Sequence, residues 1–430
     1  MRLPGRLSAA IDVLSDVETR KRPVSEALKA WGLNNRYAGA GDRAAIGNLV
    51  YDALRRRASH AALMGEDTPR ALVLAVAVRD WRLDPAELNA EFATEQHAPP
   101  PFSDEEAARV VGQLPDGTPG WVEADLPEWL APSLQRGFGD NWIAEGQEMA
   151  GRPSLDLRVN TLKSSRERVM RSLARFNPAT TPFSPIGVTM PAGPRDARTP
   201  NVVTDEGYLK GWFEVQDQGS QLVAALAGAK PGEQVLDLCA GAGGKTLALA
   251  AAMDNKGQIF AFDTERSRLA PIYERLKRNG ARNVQVRSPE AGALDDLVGK
   301  MDRVVIDAPC TGSGTWRRRP DTKWKLSPEL LAQRVGEQAA ILADAQRYLK
   351  PGGTLVYITC SILPEENDDQ VAEFVAANPE LAPVPPSELW AAAFGSEAPL
   401  GVETAQGGVA LTPRLTGTDG FYLNALRRKA

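Results

Sequence analysis

Apolar residues in the first part of the chain recur at helical intervals. Ile11, Leu14 and Val17 share one face, and Asp42 can cap a helix whose apolar side holds Ile46, Leu49, Val50 and Leu54. Residues 1–95 are therefore predicted to be helical. The stretch 96–120 is acidic and rich in Pro and Gly, which predicts a linker. Residues 121–149 return to a helical pattern. From Leu155 the text changes to short β-type pieces, LDLRVNT and GVTM, separated by Pro-rich turns, which predicts a small α+β module ending near Gly211. Beyond Gln234 short apolar runs alternate with helical stretches. QVLDLCA, QIFAFD, VQVR, RVVIDAP and TLVYITC are candidate strands, and the longest intervening helix runs from about 328 to 349. That alternation predicts α/β architecture with a parallel, doubly wound sheet. VALTP and GFYLNAL near the C-terminus are expected to add two edge strands.

Composition narrows the function classes. The longest apolar run, Ala71 to Val78, is far too short to span a bilayer, and MRLPGRLSAAIDVL has no continuous apolar segment of a signal peptide. Cys239, Cys310 and Cys360 are widely spaced, with no Cys-x-x-Cys pair, so neither a disulfide framework nor a zinc site is expected. With His60 and His97 the only histidines, no metal centre is expected, and a cytoplasmic protein fits best. The net charge of −5 hides a split: residues 1–60 carry 11 Lys/Arg against 6 Asp/Glu, and residues 61–150 carry 5 against 17. Phosphate binding depends on local patches, so charge alone excludes no nucleic-acid partner.

The run Leu236-Asp-Leu-Cys-Ala-Gly-Ala-Gly-Gly-Lys-Thr246 reads as a strand, a Gly-rich loop and a helix start. It is not a P-loop, because Cys239 stands where the first glycine is needed. It is not a dinucleotide fingerprint either, because Thr246 stands where the third glycine is needed. Asp263 ends the next strand, where a carboxylate can accept both hydroxyls of a ribose. A nucleoside cofactor on a loop without a phosphate signature points to S-adenosylmethionine.

Asp307-Ala-Pro-Cys310 and Thr-Cys360-Ser close two further strands. A thiol is what a carbon acceptor needs. C5 of cytosine takes a methyl group only after a nucleophile adds at C6 and makes an enamine. Asp307 is placed to hydrogen-bond N3 and the exocyclic amine. Spacing alone does not say which thiol attacks, and a buried cysteine is more often an inert apolar residue.

Taken together, DLCAGAGGKT, DAPCTGSGTWRRRPDTKWKLSPE and YITCSILPEEN resemble the RsmB/Sun (NSUN-type) family of RNA cytosine-C5 methyltransferases, with LRVNTLK, FEVQDQGSQLVA and TDGFYLNAL matching further blocks. GDRAAIGNLVYDALRRR resembles the NusB-like domain of RsmB-type members. The resemblance implies a Rossmann-like S-adenosylmethionine-dependent methyltransferase domain over 212–430. A helical and small α+β RNA-recognition module over 121–211 would precede it, and before the linker an all-α NusB-like RNA-binding domain over 1–95. Cys360 would be the nucleophile and Cys310 would assist product release, with Asp307 and Lys245 completing the catalytic set. Cys239, Ala240, Gly241, Ala242, Gly243, Gly244, Lys245, Asp263, Arg268, Glu290 and Asp307 would line the cofactor. The product would be 5-methylcytosine, with 16S ribosomal RNA the expected substrate, transfer RNA the alternative, and a monomer the expected state.

Two departures stand out. The family loop usually reads Cys-Ala-Ala-Pro-Gly-Gly-Lys, whereas Gly241-Ala242 stand here, and Glu290 replaces the usual Asp at the adenine end. Trp316, Arg317, Arg318, Arg319, Lys323, Trp324 and Lys325 follow the Cys310 loop and are expected to face RNA, the cations on phosphates and the indoles on bases.

Overall fold

The helical periodicity of the N-terminal region is realised in full. In the computed structural model, which describes residues 1–430, helices run over Leu3–Arg20, Val24–Asn34, Ala40–Arg55, Arg57–Met64, Pro69–Arg79 and Pro85–Phe92. Pro69–Arg79 carries the longest apolar run and is buried from Ala71 through Val78, as a helix apolar all round must be. The unit built on these helices comprises residues 1–153, 192–199 and 316–325.

The expected linker over 96–120 is a correction. Asp104–Val111 is a helix opened by a capping box, in which Ser103 accepts from the Glu106 N–H and Glu106 accepts from the Ser103 N–H. Asn89 pairs with both backbone groups of Phe102, and Phe102 and Val110 join the apolar core. Acidic residues on the solvent side of this short helix gave the segment its linker-like composition.

The second unit comprises residues 154–191, 200–315 and 326–430. Its first part is an antiparallel sheet of strands β1 (Leu155–Val159), β2 (Ala179–Thr180), β3 (Gly187–Met190) and β4 (Phe213–Val215), in the order β2-β3-β1-β4. The expected α+β module supplies this sheet, and the helices of 121–149 precede it in the chain.

The larger sheet contains β5 (Gln234–Asp237), β6 (Gln258–Ala261), β7 (Val284–Val286), β8 (Met301–Asp307), β9 (Leu349–Thr359), β10 (Leu381–Pro383), β11 (Val409–Leu411) and β12 (Phe421–Arg428). The order is β10-β12-β9-β8-β5-β6-β7, with β11 paired to β12. The strands β7, β6, β5, β8 and β9 are mutually parallel, and β12 runs antiparallel to β9. Neighbouring residues on one strand point to opposite faces, and here both faces are buried. Val235, Ile259, Val305 and Val356 enter one apolar cluster; Leu236, Phe260, Val304 and Leu355 enter the other. That is why these strands read as continuous apolar runs. Of the two expected edge strands, β12 is not at an edge. It lies between β9 and β10, with Phe421 through Leu426 buried. This is the Rossmann-like methyltransferase topology, and no helix is long and apolar enough to cross a membrane.

Candidate active site

Strand order reverses between β5 and β8, and in such sheets ligands bind beyond the carboxyl ends at that point. β5 ends at Asp237 and turns into the Gly-rich loop and the helix Gly244–Ala252. Asp237 is fully buried. Its Oδ2 accepts from the Thr246 hydroxyl at 2.6 Å, while its Oδ1 has no partner. Burial above all, opposed by the Thr246 bond, pushes this carboxyl up to about 7. Asp237 did not figure among the residues expected from sequence. Its signal was an acid between Leu236 and Leu238, at the end of an apolar strand feeding a Gly-rich loop.

Asp263 clamps the loop. It is buried, and its two oxygens accept from the Gly241 N–H and the Glu265 N–H, each at 2.9 Å. Arg268 reaches to 3.8 Å from the same carboxylate. Ala240 is fixed by its own N–H, which donates to the Phe262 carbonyl. Gly243 has φ +85°, and a Cβ there would meet Ile272 Cγ1 at 2.6 Å. The glycine thus serves helix packing and backbone conformation. Ala242 offers its carbonyl to Arg275 at 2.7 Å. Burial, with Asp237 next in effect, pushes the Cys239 thiol far up, so it is a neutral wall of the loop. Glu290 is exposed, accepts from the Ser288 hydroxyl at 2.9 Å and lies 3.5 Å from Arg266.

Lys245, Asp307 and the two remaining thiols lie near the ends of the same strands. Lys245 is buried, and its ammonium donates to Asp307 Oδ2 at 3.2 Å and to Ser220 Oγ at 2.9 Å. Beyond β8 and β9 the two thiols meet, with Cys310 Sγ 3.3 Å from Cys360 Sγ. The hydrogen bond to Cys360 and burial raise the Cys310 thiol well above its ordinary value. The loops bearing the thiols are pinned together. Gly314 N–H donates to the Cys360 carbonyl, and Ser313 Oγ meets Ser361 Oγ at 2.9 Å and accepts from the Ile362 N–H. Glu366 is fully buried and accepts from the Thr311 N–H, the Thr311 hydroxyl and Gln338 Nε2. It therefore anchors the residue next to Cys310. Glu366 went unremarked in the sequence because Glu365-Glu366 looks like an ordinary solvated pair.

The basic–aromatic run is the main correction. Trp316, Arg317 and Lys323 are buried, and residues 316–325 belong to the helical unit. Lys323 Nζ donates to the Arg55 carbonyl at 3.0 Å and Trp324 Nε1 to the Leu54 carbonyl at 2.6 Å. Arg55 Nε returns a bond to the Arg317 carbonyl at 2.7 Å. Carbonyls in the last turn of Ala40–Arg55 lack intrahelical donors and carry the negative end of the helix dipole, which is why cations and an indole N–H collect there. Lys325 donates to the Arg22 carbonyl and to Asp321 but stays exposed, as does Arg319; Arg318 is half-buried. Lys323 and Trp324 thus donate within the helical unit, Arg317 accepts there through its carbonyl, and Trp316 is buried.

A family model described as 16S rRNA methyltransferase RsmB/F matches residues 224–427, and a model of the ferredoxin-like domain of the RsmF/B-like methyltransferases matches 126–193. A ribosomal RNA small subunit methyltransferase B of Klebsiella pneumoniae is 38% identical over 259 residues, 59% of this chain and 58% of that protein. The protein of the same name from Erwinia tasmaniensis is 31% identical over 318 residues, 73% of this chain and 68% of that protein. The chain belongs to the RsmB/F methyltransferase family. A crystal structure of a methyltransferase homologue from Pyrococcus horikoshii matches with a TM-score of 0.58 at 27% identity, covering 72% of this chain and 97% of that one.

As in other RsmB/F methyltransferases, the cofactor is S-adenosylmethionine, and the residues present fit it. The unpartnered, buried Asp237 Oδ1 is an acceptor awaiting a donor beside the loop, as an α-ammonium group requires. The helix Gly244–Ala252 begins at the loop and offers N–H groups suited to a carboxylate.

Proposed function

We propose that this RsmB/F family member methylates C5 of a cytosine in ribosomal RNA, 16S RNA in particular, through a covalent bond from Cys360 to C6 of the base. The observation that supports the reading most is the pair of thiols 3.3 Å apart beyond adjacent parallel strands, beside the Lys245–Asp307 ion pair. The choice of ribosomal RNA follows the names of the relatives.

Bound S-adenosylmethionine supplies an electrophilic methyl group. Asp263 would hold the ribose, with Arg268 beside it and Glu290 toward the adenine. Cys239, Ala240, Gly241, Ala242, Gly243 and Gly244 would form the loop around the methionine portion, and Lys245 would fix Asp307. Arg318, Arg319 and Lys325 remain candidates for RNA phosphates, since the buried members of that run are engaged in the helical unit. In the reaction, the Cys360 thiolate forms a bond to C6, the ring electrons pass to C5, and the Asp307 carboxylate accepts a hydrogen bond from the exocyclic amine. Cys310 keeps its proton and can donate it toward the Cys360 sulfur. After C5 carries the methyl group and gives its proton to a base, the C6–S bond breaks and its electrons return to Cys360.

The test is adduct trapping. Cys360→Ser should abolish methylation and leave no protein–RNA adduct, because a serine hydroxyl supplies too little alkoxide. Cys310→Ala should still attack and methylate but release slowly, giving a denaturant-resistant, RNase-sensitive gel shift. An adduct that appears with Cys360→Ser and vanishes with Cys310→Ala would reverse the two roles. Bisulfite sequencing of total RNA from a deletion strain identifies the base, and retention of every ribosomal 5-methylcytosine would remove the substrate assignment.

A further inference from the structure

Lys245 is held by a chain of side chains reaching back into the antiparallel sheet. Arg158, buried on β1, donates from Nε to Gln216 Oε1 at 2.6 Å. Gln216 Nε2 donates to Ser220 Oγ at 3.0 Å, and the same oxygen accepts from Lys245 Nζ at 2.9 Å. Lys245 then donates to Asp307 Oδ2 at 3.2 Å, and its ammonium lies 5.1 Å from the centre of the Phe421 ring. Ser220, the face of Phe421 and Asp307 thus surround the ammonium.

We propose that Arg158, Gln216 and Ser220 are positioning residues that orient Lys245 and, through it, the Asp307 carboxylate for reaction. The proposal rests on the role given to Asp307 and Lys245 above.

Each link has a fixed sense. A guanidinium can only donate, so Gln216 must turn its oxygen to Arg158 and its nitrogen to Ser220. Ser220 Oγ then spends both lone pairs on the Gln216 amide and the Lys245 ammonium. Its own hydrogen is left to point away from the lysine. The backbone of Gln216 cannot drift, since its N–H donates to the Asp156 carbonyl and its carbonyl accepts from Gln221 Nε2. The result is that one Asp307 oxygen is neutralised in place while the other stays free for the base. Without Ser220 or the Gln216 amide, the flexible lysine stem can take other rotamers and carry Asp307 with it. The α+β module would thus act on the chemistry itself, in addition to any contact it makes with RNA.

The experiment measures single-turnover methylation and steady-state kinetics on the full chain for Ser220→Ala, Gln216→Met, Ser220→Thr, Lys245→Met and the double variant Ser220→Ala/Lys245→Met. Loss of a hydrogen bond to a charged group should lower kcat of Ser220→Ala and Gln216→Met about 10-fold to 100-fold, with KM for cofactor and RNA within about 3-fold. Ser220→Thr keeps the hydroxyl and should recover most of the rate. In the Lys245→Met background, Ser220→Ala should cost less than about 2-fold, because its target is gone. Equal losses in both backgrounds, or a loss confined to KM, overturns the positioning role. A disabled Lys245→Met beside an undiminished Ser220→Ala overturns this chain and leaves the proposed function standing. A fully active Lys245→Met overturns the role of Lys245 in the proposed function itself, and the chain with it.

Discussion

Gly243→Ala tests the cofactor loop at the point where packing and backbone conformation coincide. The residue has φ +85° and caps the helix Gly244–Ala252. An L-residue in left-handed backbone costs about 1–2 kcal/mol. The added Cβ would also lie 2.6 Å from Ile272 Cγ1 and 3.0 Å from Ile272 Cδ1, whereas carbon atoms pack best at roughly 3.5–4.0 Å. Ile272 is fully buried at the start of its helix, so it cannot swing into solvent. Overpacking of this kind adds about 1–3 kcal/mol, for a total near 2–5 kcal/mol. Gly241→Ala is the internal control. It also has positive φ, +49°, but the nearest atom to its added Cβ is Asp263 Oδ2 at an ordinary 3.8 Å. That variant should cost only the backbone strain. Urea unfolding monitored by fluorescence, with calorimetric titration of S-adenosylmethionine, separates stability from binding. In an Ile272→Ala background, which deletes both touching atoms, the cost of Gly243→Ala should fall to about 1–2 kcal/mol. The reasoning is refuted if Gly243→Ala costs no more than Gly241→Ala, or the same with and without the Ile272 side chain.

Asp263→Ala removes the acceptor for the Gly241 and Glu265 N–H groups together with the expected ribose contact, so calorimetry should show cofactor affinity reduced about 10-fold or more; unchanged affinity would place the ribose elsewhere. Burial lowers the Lys323 ammonium to about 8 in the folded chain, against about 10.4 when unfolded. Between those values the folded state holds fewer protons than the unfolded one, so stability should rise with pH across that window, by about 3 kcal/mol in total. Lys323→Met should flatten the rise in unfolding midpoint from about pH 8 to about pH 10, and identical slopes in the two proteins would mean that the ammonium is not desolvated.

What could be read from the sequence was whatever depended on local periodicity. The buried parallel strands announce themselves because both faces of β5, β6, β8 and β9 are apolar, and helices of the N-terminal unit such as Leu3–Arg20 and Ala40–Arg55 because one face is. What failed depended on neighbours distant in the chain. β12 looked like an edge because nothing local says that β10 will pair on its far side. The run from Trp316 to Lys325 looked like an RNA surface because its charges are visible in the text and its partners are not. The carbonyls of Leu54 and Arg55 that take the Trp324 and Lys323 protons lie some 270 positions away (270 and 268). Lysine and arginine carry long apolar stems, so a basic run is as able to pack as to solvate.

The two thiols show how far each level of reasoning reaches. Spacing brought Cys310 and Cys360 to one end of a sheet but could not rank them, and the family resemblance ranked them without a physical cause. Under the proposed mechanism, the surroundings of Cys310 suit it to the supporting part. Cys310 sits beside Thr311, which Glu366 grips at both its N–H and its hydroxyl, so its loop is held still. Its thiol is raised by the bond to Cys360 and by burial. A neutral thiol on a fixed loop is suited to donating a hydrogen bond and unsuited to attack. Under the proposed mechanism that donation serves twice. It stabilises the Cys360 thiolate before addition to C6, and it stabilises the same sulfur as the C6–S bond breaks. Loss of Cys310 should therefore hurt release most, because there the sulfur must depart carrying negative charge, whereas during attack the charge is already passing to the ring.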